Sequence, residues 1–171
     1  MIRRVLACVA AVLGVAALFA GSPYRARHAV AEVGPVELAE WIRDRKPELR
    51  VIDTRTEAEY DDFHLPRAER VAVESLASIR FKPTETIVLV SGDARVIKGQ
   101  VYVLRGGMRG WIDDVLNPTI TAKASPAARA AFQGASIVSR YFGGVPREVD
   151  TPQVKSNDTT AAVAAVRRRG C

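Results

Sequence analysis

The chain has 171 residues, enough for one ordinary domain with appendages. It carries 25 Lys and Arg against 19 Asp and Glu, a formal net charge of +6, and its apolar and charged fractions are those of a globular protein. The cations are scattered except for Arg167, Arg168 and Arg169, and no basic stripe interleaves with aromatics. That pattern argues against nucleic acid as a partner and suits a position near an anionic membrane surface. Cys8 and Cys171, one near each end, can neither staple a fold nor form a CxxC pair. Two histidines, His28 and His64, make no ligand set, so no metal is expected, and no cofactor is implied.

Met1 to Arg4 is short and basic, and residues 5–21 follow as 17 residues without a charge. Ser22, Pro23 and Tyr24 break the run. Residues 1–24 therefore read as a signal peptide or a signal anchor, with residues 5–21 at the lower limit for crossing a bilayer. Cleavage positions nearby are poor. A cut after Ala20 puts Leu18 where a small residue is preferred, and a cut after Ser22 puts Pro23 first. Ala29-Val30-Ala31 has a suitable pattern but stands far from the run, so an uncleaved anchor is the favoured reading. Val5-Leu6-Ala7-Cys8 resembles a lipobox, but the apolar core follows the cysteine instead of preceding it. Cys8 then reads as a small apolar residue of the span. Arg3 and Arg4 place the N-terminus inside. For a bacterial protein this predicts the inner membrane, with the rest of the chain facing the periplasm or exterior, or export if the segment is cleaved.

Residues 22–32 read as a polar linker. Gly34-Pro35 and the spacing of Val36, Leu38, Ala39, Trp41 and Ile42 predict a helix to Arg45, ended by Pro47. Leu49 to Asp53 is a short β-branched run, a buried strand. Thr54 or Thr56 caps a short helix through Glu57, Ala58, Glu59 and Tyr60. Arg70 to Val73 reads as a strand and Ser75 to Ile79 as one or two helical turns. Thr86 to Val90 and Gln100 to Leu104 are apolar at nearly every position, as parallel strands covered on both faces are. Met108 to Val115 predicts a short helix stopped by Asn117-Pro118. Ser125-Pro126 opens a helix over 127–142 that Gly143-Gly144 closes. Residues 145–158 are polar, and 159–169 form at most a marginal helix. Alternating strands and short helices predict an α/β fold on a parallel sheet, with an N-terminal membrane segment and a C-terminal helical extension.

Three stretches together resemble rhodanese-like domains. Val51-Ile52-Asp53-Thr54-Arg55 with Glu57, Glu59 and Tyr60 is similar to that family's first strand and acidic turn. Phe63-His64-Leu65-Pro66-Arg67-Ala68 resembles its G-H-I-P-G-A segment, and Leu104-Arg105-Gly106-Gly107-Met108-Arg109-Gly110-Trp111 resembles its closing L-x-G-G-[ILM]-x-x-W motif. The resemblance spans residues 33–118, between the segment 1–24 and a helical extension with a basic tail, 119–171. The same residues also have plain physical roles. Asp53 can accept backbone N–H bonds of the next turn, Arg55 can pair with Glu59, His64 can bond backbone, Gly106 and Gly107 can supply positive φ, and Trp111 can pack.

The resemblance implies a persulfide-carrying cysteine after the strand 86–90, within a ring of backbone N–H groups that holds an anion. Ser91 stands at that position. The matching loop is Ser91, Gly92, Asp93, Ala94, Arg95 and Val96, where Asp93 opposes an anion and Arg95 partly offsets it. Only residues 91–99 precede the next strand, fewer than a parallel crossover usually takes, so the family's helix is lost or reduced to a turn. The helix 127–142 is expected to cover the sheet face thus exposed. Phe63 and Arg67 replace two loop glycines.

The leading expectation is a catalytically inactive rhodanese-like domain, membrane-anchored or exported, that binds a protein partner or a small anion through Ser91 to Val96. The alternative is a sulfurtransferase or sulfur carrier using Cys171, whose thiolate Arg167 to Arg169 would favour. A hydrolase using Ser91, Asp93 or His64 and a purely structural role complete the set.

Overall fold

The computed structural model describes residues 30–92, 94 and 97–150. The apolar run 5–21, the span 1–24 with Cys8, His28, the loop residues Asp93, Arg95 and Val96, the segment 159–169 and Cys171 lie outside the described residues.

In chain order the elements are β1 (Ala31–Val33), α1 (Pro35–Arg43), β2 (Leu49–Asp53), α2 (Glu57–Asp62), β3 (Ala68–Arg70), a 3₁₀ turn (Val73–Ser78), β4 (Thr86–Leu89) and β5 (Gln100–Leu104). There follow α3 (Gly107–Trp111), a π-helical turn (Ile112–Leu116), β6 (Thr119–Thr121), α4 (Pro126–Tyr141) and β7 (Arg147–Val149). The first five strands form one sheet in the order β1-β5-β4-β2-β3, parallel throughout, and β6 and β7 form a separate parallel pair. The α/β class with a parallel sheet between helices is thus the fold the alternating pattern predicts.

Each sheet face has its own core. Val33, Val51, Val88, Val90 and Leu104 point to one face, where they meet Leu38, Ala39 and Ile42 of α1 and Met108, Trp111 and Ile112. Ile52, Ile87 and Leu89 point to the other, where they meet Leu76 and Ala94. The period-2 alternation of a strand explains why β4, caught between both layers, is buried at every residue. The crossovers explain which segment covers which face. From β1 to β2 the chain moves one way across the sheet; from β3 to β4 and β4 to β5 it moves the other way. Right-handed crossovers put the two sets of connections on opposite faces.

The expectation that helix 127–142 covers the face left bare by the short β4–β5 connection is overturned. The helix is α4, and it packs over α1 and the π-helical turn on the first face. Val138 joins that core, and Phe142 stands edge-on to Trp111 at 5.3 Å. The three residues 122–124 and the Ser125 cap follow β6 directly and hold the helix on that side. The second face is closed instead by the 3₁₀ turn, Val71, Phe81, Ala94 and Ile97. As expected, the β4–β5 connection keeps no full helix among its described residues, only a turn in which Ile97 donates to the Ala94 carbonyl.

Other boundaries shift for identifiable reasons. The linker expected over 22–32 ends in β1, three residues that pair with Tyr102, Val103 and Leu104. The strand expected at 70–73 lies at 68–70, because Ala68 pairs with Val51 and the chain leaves the ladder after Val71 donates to the Asp53 carbonyl. The helix expected at 108–115 is α3 followed by the π-helical turn, in which Asn117 N and Nδ2 both donate to the Ile112 carbonyl. Residues 145–158, read as polar and irregular, contain β7.

Thr56, rather than Thr54, caps α2. Its hydroxyl accepts from Glu59 N while the Glu59 carboxylate accepts from Thr56 N, a reciprocal capping box. Thr56→Ala should therefore lower stability by about 1 kcal/mol in urea unfolding. The Thr56 hydroxyl, then the Thr56 amide, hold the Glu59 carboxyl below its usual range. A depressed carboxyl stabilises above its unfolded value, and this contribution disappears as pH falls through the lower folded value. An acid titration should show that loss below about pH 4, and Glu59→Gln should remove it.

Candidate functional site

In a parallel sheet every strand ends on the same edge, and crevices outside those carboxyl ends are where such folds place ligands. Here β2, β4 and β5 deliver Asp53-Thr54-Arg55, Val90-Ser91-Gly92 and Leu104-Arg105-Gly106-Gly107 to one edge. Register decides which residues meet. β2 and β4 pair Leu49 with Thr86 and Ile52 with Leu89, and Val90 N donates to the Ile52 carbonyl at 2.9 Å. The same offset of 37 carries on past the strands and sets Thr54 against Ser91.

Thr54 donates its hydroxyl proton to the Ser91 carbonyl at 2.8 Å, and its Oγ1 lies 3.0 Å from Ser91 Oγ. Thr54 has only one proton, so Ser91 is the donor of the second bond. The serine hydroxyl is therefore held as a donor to a neutral oxygen, and among the described residues no base contacts it. Gly92 follows at φ 101°, and a Cβ there would come 2.9 Å from Thr54 Oγ1, so both backbone and space require glycine. Gly106 and Gly107 take positive φ as expected, and a Cβ on Gly107 would come 3.1 Å from the Val90 carbonyl oxygen. They let the start of α3 lie against the end of β4.

Asp53 is fully buried, and its carboxylate is saturated. It accepts from Arg55 N at 3.0 Å, as its place at a strand end predicts, and from Arg55 Nε and Nη2 at 3.0 and 2.7 Å. The expected Arg55–Glu59 pair is replaced by this fork, because Asp53 is two residues away and shielded from water, while Glu59 closes the helix cap. Arg55 Nη2 also donates to the Phe63 carbonyl, tying the β2 end to the following loop. A carboxylate so engaged is no general base.

His64 bonds backbone, as expected. Its Nδ1 lies 2.9 Å from the Tyr60 carbonyl, which can only accept, and its ring stacks on Tyr60 at 4.1 Å. No hydrogen bond joins His64 to Ser91 among the described residues, so no serine–histidine pair forms there. Arg67 takes φ 64°, a conformation that glycine adopts freely. Trp111 is fully buried and acts in packing.

Of the six loop residues, Ser91 is half-buried at the crevice and Gly92 is exposed beside it. Ala94 turns into the second-face core at 5% exposure, away from the crevice. Asp93, Arg95, Val96 and Cys171 lie outside the described residues. Arg105 is exposed at the same edge, near Gly34. Sequence reading missed Thr54 as a site residue and treated it only as a possible cap. Its role depends on the β2–β4 register, and no local pattern reports that. Among the described residues no three His, Cys, Asp or Glu side chains gather into a metal-binding group. No described helix is long and apolar enough to cross a membrane.

Comparison of the chain with family models, with curated proteins and with solved structures finds no match.

Proposed function

We propose that this chain is a catalytically silent rhodanese-like domain, membrane-anchored through residues 5–21 or exported, that serves as a binding or accessory module for a protein or a small anion. The observation that carries this reading is Ser91. It sits at the carboxyl end of a central strand, where the resemblance implies a sulfur-accepting thiol, and its hydroxyl is bonded only to Thr54 among the described residues. A hydroxyl cannot carry a persulfide, and among the described residues no base contacts it. The ten residues 90–99 between β4 and β5 leave no room for the helix whose N-terminus would hold an anion. The rim formed by the half-buried Thr54 and Ser91 with the exposed Gly92 and Arg105 is left as a recognition surface, not a reaction centre.

The second reading, a sulfur carrier at Cys171, is favoured by the three arginines that stand just before that thiol in sequence. Thiosulfate-to-cyanide sulfur transfer separates the two. The assay uses the full chain, because removing residues before Val33 would take Ala31 and Glu32 out of β1. No transfer is expected from the wild type or from Cys171→Ser. Ser91→Cys is also expected to stay inactive, since the shortened connection remains. Activity lost on Cys171→Ser would establish the carrier instead, and activity gained by Ser91→Cys would show that the loop still holds an anion.

A further inference from the structure

Because the sheet is all parallel, every segment that enters a strand stands on the edge opposite Ser91. Along that edge lie Arg45 and Lys46 before β2, Arg80 and Lys82 before β4, and Lys98 before β5. The acids there are Asp44, Glu48 and Glu85; Asp44 is paired with Arg43, and Glu85 accepts from Lys82 N and lies close to Arg50. No ion pair holds Arg45, Arg80, Lys82 or Lys98 among the described residues, and all four are exposed. On the opposite edge Glu37 stands in the first turn of α1 and Glu57 and Glu59 in that of α2, while the start of α3 carries no acid and follows the exposed Arg105. The strand-entry edge thus carries more unpaired cations than acids among the described residues.

Apolar groups accompany the cations. α4 packs along α1. The start of α4 shares a cleft with the start of α1, through Ala128, Phe132, Pro35 and Val36. The two helices therefore run the same way and both finish at the basic edge. There Ile137 and Tyr141, one helical turn apart, are 64% and 63% exposed beside the exposed Arg140. On the second face, across the sheet from them, a cleft of about 640 Å³ has Leu76, Ile79, Phe81 and Ile97 as apolar lining and Arg80 and Lys98 as cations. Aromatic and aliphatic groups ringed by Lys and Arg are the composition that settles at a bilayer interface. Val30, where the described chain begins, packs on the second-face core just before β1, so the chain enters at this edge too. The eight residues 22–29 separate it from the apolar run, a reach of about 30 Å at full extension.

We propose that the strand-entry edge, carrying Arg45, Lys46, Arg80, Lys82, Lys98, Ile137 and Tyr141, lies on an anionic bilayer surface and turns the Ser91 edge toward the aqueous side. This rests on the membrane anchor of the proposed function and adds to it a lipid class and an orientation. Each cation near an anionic surface adds roughly fivefold to binding.

The test is amide hydrogen exchange of the full chain on phosphatidylcholine vesicles and on vesicles that also contain phosphatidylglycerol. Residues 44–48, 79–85, 97–99 and 137–142 are expected to exchange several-fold more slowly on the anionic vesicles, with 54–62 unchanged. Combined Arg80→Glu, Lys82→Glu and Lys98→Glu, all exposed, should abolish the difference and leave exchange in β4 and β5 as it was. Equal protection on both lipids, protection at 54–62, or protection that survives the triple reversal would overturn the proposal. Flotation on neutral vesicles reads the anchor separately. A chain that floats without lipid-dependent protection loses only this orientation; one that floats on neither vesicle loses the anchor and this surface together.

Discussion

Arg55→Ala is expected to lower stability by about 3–5 kcal/mol, the size seen when one partner of a buried charge pair is removed. Asp53 has no exposure to water, and Arg55 Nε and Nη2 supply the side-chain bonds to its carboxylate. Removing the guanidinium leaves a buried carboxylate with one backbone N–H, and also unties the Phe63 carbonyl. With a urea slope of about 2 kcal/mol per molar, the unfolding midpoint should fall by roughly 2 M. Arg55→Met combined with Asp53→Leu should recover most of the loss, because an apolar pair leaves no buried charge. If Arg55→Ala cost less than about 1 kcal/mol, the fork would not be what secures this edge.

Trp111→Ala should cost a similar amount, about 3–5 kcal/mol. The indole is fully buried in the first-face core and meets Phe142, so its removal opens a cavity between α3, α1 and α4. Calorimetry should record a fall in Tm of about 10 °C or more. Trp111→Phe should retain much of the packing and cost clearly less. The contrast between the two also reads the architecture. If α4 lay over the other face, as its sequence first suggests, losing Trp111 would leave that helix unaffected. Here α4 should show faster amide exchange in Trp111→Ala than in the wild type.

The two substitutions act at different distances from Ser91. Arg55 lies on the turn that presents Thr54 to Ser91, so its loss should loosen the crevice as well as the fold. Trp111 supports the layer beneath and should leave the Thr54–Ser91 contact in place until the protein unfolds.

What the sequence by itself determined is what local pattern reports. The apolar runs at Leu49 to Asp53, Thr86 to Val90 and Gln100 to Leu104 became the three central strands, of which β4 alone is buried at every residue while β5 stays partly open. Ser125-Pro126 and Thr56 with Glu59 opened helices because a cap is a contact within four residues. The serine at position 91 and the brevity of 90–99 are likewise legible without a structure.

The tertiary structure alone decided the rest. β1, β6 and β7 are three residues each, too short for periodicity, and exist because a partner strand accepts their bonds. Arg55 chose Asp53 over Glu59 because burial makes the nearer carboxylate the stronger partner. The side on which α4 lies follows from the path through β6, and the meeting of Thr54 with Ser91 follows from the register of two strands 37 residues apart. Such pairings are set by backbone hydrogen bonds between distant segments, and amino-acid pattern along one segment carries no record of them.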